Sequence, residues 1–276
     1  MTNKPVALIT GATSGIGEAT AHRLHDQGYR VFAVGRNPDA LDALRLRGLQ
    51  ARALDVTDEA AVERLVEEID TDHGGVDVVV NSAGFGLSLP LEQVALSDMR
   101  DLFETNVVAM LHVSQAVLPG MRARRTGIIV NIGSTAGRFT SPGAGAYHIT
   151  KYGVEALSLA FRAEVKQFGV RVALIDPTGV RTRFGAALLD EAAPYDDDDP
   201  YGDFKHRYAE TARALTEARG VMIDADTVAR AVIRAVQAKN PKPRYIVGAS
   251  GKATLLTRWL LTDRMWDRIM MKRLGT

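Results

Sequence analysis

Seven short runs of apolar, largely β-branched residues punctuate the chain, at 5–10, 29–35, 51–56, 77–83, 127–134, 171–177 and 243–248. Between them, apolar residues recur at helical spacing near 15–28, 38–47, 58–72, 97–118, 150–168 and 224–238. The strand runs are nearly continuous rather than alternating, which marks a parallel sheet covered by helices on both faces. Strict alternation of the two periods predicts an α/β fold: a Rossmann-type, doubly wound parallel sheet of about seven strands with helices on both faces. Thr57 followed by Asp58, Glu59 and Ala60, and Asp224 ahead of the 224–238 segment, read as helix starts with acidic first turns. Residues 178–223 carry no clear strand, and a stretch of that length inside a compact domain is more often functional than idle.

Composition narrows the classes without choosing among them. A chain of 276 residues, 46% hydrophobic and 24% charged, suits one large soluble unit. A formal net charge of +1 gives no reason to expect a nucleic-acid partner. The absence of cysteine excludes disulfides, thiolate nucleophiles and Cys-ligated metals, and none of the six histidines shows ligand spacing, so no metal is expected. The segment "MTNKPVALIT" lacks the apolar core of a signal peptide, and no stretch reaches the length of a membrane span. A cytoplasmic protein is expected.

Candidate chemistry begins where the first run ends, in "TGATSGIG", which places Gly11, Gly15 and Gly17 around Thr13, Ser14 and Ile16. Glycines there permit a sharp strand-to-helix turn and let a pyrophosphate approach the free N–H groups of a helix N-terminus. A tight turn alone is weak testimony; its place after the first strand of an α/β chain makes nucleotide binding the better reading. The second run ends in Gly35 and Arg36. NAD-binding versions of this fold carry an acid there, whereas a guanidinium pairs with a 2′-phosphate. NADP(H) is therefore the expected cofactor. Asp55, beside Val56 at the end of the third run, either meets the adenine or caps the helix that starts near Asp58.

The stretch "YHITK" puts Tyr147 and Lys151 on one helix face. A second copy of the spacing, Tyr201 and Lys205 in "YGDFK", has no serine placed as Ser134 is before Tyr147, and reads as a solvated loop pair. With the glycine turn, "NSAG" at 81–84, "FETN" ending at Asn106, Ser134 and "YHITK", the sequence resembles the single-domain short-chain dehydrogenase/reductases over residues 5 to about 248. Within that branch, "FRAEVKQFGVRVALIDPTGVRTRF" and "PRYIVG" look most like the 17β-hydroxysteroid dehydrogenase-like and retinol dehydrogenase-like reductases.

The resemblance implies roles. Tyr147 would be the acid/base, Lys151 would lower its pKa and bond the nicotinamide ribose, Ser134 would hold the substrate oxygen, and Asn106 would order a water in a proton relay. Asn81, Ala83 and Gly84 would lie at the ribose side, with Pro177, Val180 and Thr182 at the carboxamide. Two departures stand out: Ser82 where a second asparagine is common, and Thr178 where the family places glycine. Bringing a phenol from about 10 to about 7 requires roughly 4 kcal/mol of differential stabilisation. Family habit also implies a homo-oligomer.

Substrate selection is expected from Phe85, Gly86, Phe139 to Ala144, and a lid over 178–223 carrying Phe184, Leu188, Leu189, Tyr195, Phe204 and Tyr208. The acidic run Asp196–Asp199 reads as a solvated loop tip. Residues 1–250 form the expected NADP-binding catalytic domain, and 251–276 an amphipathic helical extension. Its stripe of Leu255, Trp259, Thr262, Trp266 and Ile269 suits packing on the domain or on a second subunit. Contact with a membrane surface through 252–273 ranks lower, because Asp263 and Asp267 interrupt the basic face. The leading reading is an NADP(H)-dependent oxidoreductase acting on a small apolar carbonyl or alcohol, such as a steroid, retinoid or long-chain ketone. The rivals are a 3-oxoacyl thioester reductase and a non-catalytic NADP(H)-sensing regulator.

Overall fold

The computed structural model describes residues 4–182, 198–218 and 220–274. Strands β1 (Val6–Ile9), β2 (Arg30–Gly35), β3 (Gln50–Ala53), β4 (Val78–Asn81), β5 (Ile128–Ile132) and β6 (Arg171–Pro177) alternate with helices α1 (Gly15–Asp26), α2 (Pro38–Leu46), α3 (Glu59–His73), α4 (Leu96–Phe103), α5 (Ala109–Arg124) and α6 (Gly145–Val165). Then follow β7 (Val180–Arg181), α7 (Gly202–Glu217), β8 (Ile223–Asp224), α8 (Ala225–Gln237), β9 (Arg244–Val247), α9 (Ala249–Leu260) and α10 (Asp263–Leu274). Seven strands form one parallel sheet in the order β3-β2-β1-β4-β5-β6-β9.

The continuous apolar runs are explained by burial of both faces. Ala7, Ile9, Val31, Ala33, Val78, Val80, Ile128 and Val130 pack with Ala21 and Leu24 of α1, Leu41 and Leu44 of α2, and Val228 and Val232 of α8. The intervening residues Val6, Leu8, Phe32, Val34, Val79, Ile129 and Val172 face Val62, Leu65 and Ile69 of α3 and Val113, Val117 and Met121 of α5. Because successive side chains of a strand point to opposite faces, both sets must be apolar. The chain returns past β1 between β3 and β4, so the crevice of this doubly wound sheet opens at the C-terminal ends of β1 and β4.

Local signals set the helix ends. Asn37 caps α2 by accepting from Ala40 N at 2.9 Å, and Asp58 rather than Thr57 caps α3, accepting from Ala61 N at 2.9 Å. A π-helical turn, Glu104–Val108, joins α4 to α5, so the segment expected at 97–118 is a helix with an inserted widening. Helix α6 starts at Gly145, five residues before the expected start, and therefore includes Tyr147 in its first turn.

The segment 178–223 holds more order than expected: β7 pairs with β8 in parallel, and α7 lies between them. Phe184, Leu188, Leu189, Tyr195, Asp196 and Asp197 lie outside the described residues. Asp199 is not a solvated loop charge. It pairs with Lys205 at 2.6 Å and accepts from Gln93 at 2.7 Å, which holds its carboxyl down at about 2. Tyr201 in turn donates to Glu92, so Tyr201 and Lys205 anchor the start of α7. The C-terminal extension is two helices, α9 and α10, separated at Leu261 and Thr262. The break separates the two tryptophans of the expected stripe: Trp259 is 80% exposed and Trp266 is 5% exposed. Among the described residues no helix is long and apolar enough to cross a membrane.

Candidate active site

The turn after β1 is held from both sides. Thr10 Oγ1 accepts from Ser82 N at 3.0 Å and Ala83 N at 3.1 Å, tying the end of β4 to the glycine turn. Gly11 has φ +64°, and a Cβ there would stand 2.8 Å from the Ala83 backbone. Gly17, one turn into α1, abuts the Gly11 carbonyl so closely that no Cβ fits. Gly11 and Gly17 thus let the backbone fold back on itself and present the N-terminus of α1 to a cavity of about 890 Å³. An open helix N-terminus favours negative charge, and the donor set fits a pyrophosphate.

That cavity runs from the β2–β3 ends to the C-terminal helices. Its wall includes Gly11, Thr13, Ser14, Gly15 and Ile16 of the turn, and Arg36, Asp55 and Val56 at the ends of β2 and β3. It also includes Ala83, Gly84 and Phe85 after β4, Ser134, Phe139, Tyr147 and Lys151, and Pro177, Val180 and Thr182 after β6. Arg36 is 76% exposed and reaches Asp55 at only 3.4 Å, a weak pairing that leaves the guanidinium able to turn toward a ligand. Asp55 spends its other oxygen on Thr57, accepting from its N at 3.1 Å and its Oγ1 at 2.9 Å.

Four expected site residues stand behind the wall or apart from it. Gly17 acts through the turn. Gly86 is buried beyond Phe85. Asn81 donates to Ser114 Oγ at 3.0 Å and Asn131 Oδ1 at 2.9 Å, bridging β4 to α5 and β5. Asn106, in the π turn, clamps the Phe85 backbone, accepting from its N at 3.0 Å and donating to its O at 2.8 Å. Asn106 also donates to Thr150 Oγ1 at 3.1 Å, and Thr150 donates to the Tyr147 carbonyl at 2.8 Å. A fifth, Phe184, lies outside the described residues.

Ser134 leaves β5 in an extended conformation and hydrogen-bonds the Tyr147 phenol. Part of the Tyr147 ring opens to the cavity while its phenol sits deep among protein atoms, and this burial pushes the phenol up to about 12. The direction is opposite to that expected of a tuned proton donor. The Ser134 hydrogen bond lowers the value but does not offset the desolvation, to which the Asp176 charge adds. Lys151 lies 5.6 Å from the ring centroid and donates to the Ile132 carbonyl at 3.1 Å. Burial draws its ammonium down to about 8, against the pull of Asp176.

The model of the short chain dehydrogenase family matches residues 5–193. The chain belongs to that family. It is 33% identical over 277 residues, 97% of this chain and 96% of the relative, to an NADPH-dependent 3-dehydrocapnine reductase of Ornithobacterium rhinotracheale. A crystal structure of a short-chain dehydrogenase from Streptomyces avermitilis superposes with a TM-score of 0.81 at 29% identity, covering 100% of this chain and 98% of that one. The closed form of a serine dehydrogenase complexed with NADP+ gives a TM-score of 0.75 at 29% identity, covering 88% and 94%.

Three features of this short-chain dehydrogenase escaped sequence reasoning. Asp176, at the end of β6, is fully buried beside Gly133, with Arg244 Nε 3.2 Å from Oδ2. Beyond the Ser134 backbone N–H neither oxygen closes a hydrogen bond despite that ion-pair distance, and burial pushes the carboxyl up to about 7. His148 is buried, bridging Ala136 O at 2.7 Å and Ser141 Oγ at 3.0 Å, and its desolvation keeps the imidazole neutral. Trp266 and Met270 of α10 join Tyr208, Ala212 and Leu215 of α7 in the cavity wall. A tryptophan in a terminal helix was the one available signal, and the apparent stripe paired it with the wrong face.

Proposed function

We propose that this short-chain dehydrogenase interconverts a neutral, apolar carbonyl compound and its alcohol, with Tyr147 as the acid/base. It is an NADP(H)-dependent oxidoreductase, like its reductase relative and its neighbour solved with NADP+. The observation that carries the substrate class is the distribution of charge. Among the described residues, the charged side chains in the cavity wall are Arg36, Asp55 and Lys151. The first two lie at the β2–β3 end, and Lys151 is buried, donating to the Ile132 carbonyl and packed on the Tyr147 ring. The rest of the wall offers Phe139, Pro142, Ala212, Leu215, Val221, Met222, Trp266 and Met270, with hydroxyls and a neutral His148 as its polar groups. A zwitterion such as serine, or a short hydroxy acid, finds no counter-ion among the described residues of that half, and burying an unpaired carboxylate costs several kcal/mol.

The glycine turn and the N-terminus of α1 would hold the cofactor's pyrophosphate, and Arg36 would hold its 2′-phosphate. The chemistry the nicotinamide would supply when bound is hydride donation or acceptance. Ser134 fixes the substrate oxygen next to the Tyr147 phenol. In reduction Tyr147 donates its proton to that oxygen, and in oxidation it takes the alcohol proton. The Lys151 ammonium stabilises the phenolate left behind. Asn106 positions the Phe85 loop and, through Thr150, the Tyr147 backbone. Helix α7, within the catalytic domain formed by 1–250, covers the substrate half through Tyr208, Ala212 and Leu215.

The test is a panel of neutral and carboxylate-bearing ketones with NADPH, run on wild type and Tyr147→Phe. Positioned acid/base groups contribute about 10²–10⁴-fold, so the variant should lose that much turnover while keeping NADPH affinity. Wild-type turnover in the variant, or a preference for the acids, would overturn the reading.

A further inference from the structure

The geometry points to Trp266 as a specificity-determining residue: α10 closes the far end of the substrate half, and the indole limits how long an apolar substrate can be. This rests on the neutral, apolar substrate proposed above. Trp266 is 5% exposed, yet it is not sealed in a core, since its ring forms part of the cavity wall. Three contacts hold it in one orientation. Its Nε1 donates to the Thr140 carbonyl at 3.2 Å, its ring meets Phe139 edge-on with centroids 5.7 Å apart, and the Arg258 guanidinium covers it at 5.7 Å. Arg258 is itself fixed by Asp263 at 2.5 Å, across the break between α9 and α10.

Those contacts lead back to the reacting groups. Phe139 packs edge-on against His148 at 5.5 Å, and His148 follows Tyr147 in the first turns of α6. The Thr140 carbonyl belongs to the same 139–142 loop, whose Ser141 is hydrogen-bonded to His148. Trp266 is therefore braced against the loop that frames the catalytic side of the cavity. Met270, one helical turn on and 8% exposed, extends the same wall, and α10 packs against α7, which supplies Tyr208, Thr211 and Leu215. A satisfied N–H, an edge-on aromatic neighbour and a covering cation make the indole a rigid stop rather than a yielding one. Uncharged pockets discriminate by fit, at about 10–200-fold for one methylene.

The experiment uses a series of neutral straight-chain ketones of increasing length with NADPH. Trp266→Ala should move the kcat/KM optimum to longer chains and lower it about tenfold for the shortest ones, with NADPH affinity unchanged. Met270→Ala, which keeps the indole's braces, should move the optimum in the same direction by less and serves if Trp266→Ala does not fold. A binding readout is independent of turnover. The chain has two tryptophans, and Trp259 is 80% exposed. In Trp259→Phe the remaining tryptophan fluorescence comes from Trp266, and long-chain tertiary alcohols, which have no hydride to give, should change it where short ones do not. An unmoved length profile in both folded variants, or fluorescence indifferent to ligand length, overturns the assignment of Trp266. Wild-type preference for charged ketones would instead overturn the substrate class on which it rests.

Discussion

Lys151 lies across the Tyr147 ring, 5.6 Å from its centroid, while its ammonium donates to the Ile132 carbonyl at 3.1 Å. In this arrangement the cation serves the strand as much as the phenol, and Tyr147 rises to about 12. A catalytic phenol needs further positive charge close by, and an oxidised nicotinamide carries one. Saturation with NADP⁺ is expected to shift the onset of tyrosinate absorbance several pH units downward. Each unit corresponds to about 1.36 kcal/mol. The shift should vanish in Tyr147→Phe and shrink in Lys151→Met. Identical titration with and without NADP⁺ would count against Tyr147 as the acid/base.

Arg36 is the second testable group. Its exposed pairing with Asp55 at 3.4 Å gives little stability, so removing it should leave the fold intact. A hydrogen-bonded charge pair with a 2′-phosphate contributes about 1.5–3 kcal/mol. Arg36→Ala is therefore expected to weaken NADPH about 10- to 100-fold and to leave NADH within about twofold. Equal losses for both cofactors would remove the 2′-phosphate role.

The sheet was legible because its inner strands, β1, β2, β4, β5 and β6, are buried on two faces, which leaves them no polar alternation to confuse with another element, while the edge strands β3 and β9 are only partly covered. The glycine turn and the Ser134, Tyr147 and Lys151 constellation were legible because close spacing and order along the chain carry them. Asp176 was not, since an acid ending a strand looks the same whether it is solvated or sealed beneath an active site. Its partner Arg244 arrives on β9, and the Glu155 that also pairs with Arg244 comes from α6. Only folding brings the three together. The break at Leu261 and Thr262 carries no glycine or proline, so helical spacing ran through it and placed Trp259 and Trp266 on one face.

Gly17 tests the turn itself. A Cβ there would strike the Gly11 carbonyl, which is backbone and has no rotamer to adjust. Gly17→Ala should destabilise by about 1–3 kcal/mol, the usual cost of overpacking. It should also weaken NADPH, because the shift displaces the N-terminus of α1. Thermal melting and NADPH fluorescence titration check the two effects. A variant with wild-type melting and affinity would show that the close approach is not required.

Asp176 gives a pH-dependent prediction whose sign is fixed. Burial lifts its carboxyl from 3.8 to about 7, against Arg138 of the loop after β5 and Lys151 of α6, which favour the ionised form. Arg244 of β9 faces it as well, shared with Glu155. A carboxyl raised on folding binds more protons in the native than in the unfolded state between those two values. Its contribution is therefore fully present below about 3.8 and is lost as pH rises through about 7. The span corresponds to roughly 4 kcal/mol. Asp176→Asn mimics the protonated form at every pH, so it escapes that loss. The melting temperature of Asp176→Asn minus that of wild type should rise by several degrees between about pH 5.5 and about pH 8.5. An offset that stays constant across the range would mean that Asp176 is ionised throughout, held by Arg244 and Lys151 rather than suppressed by burial.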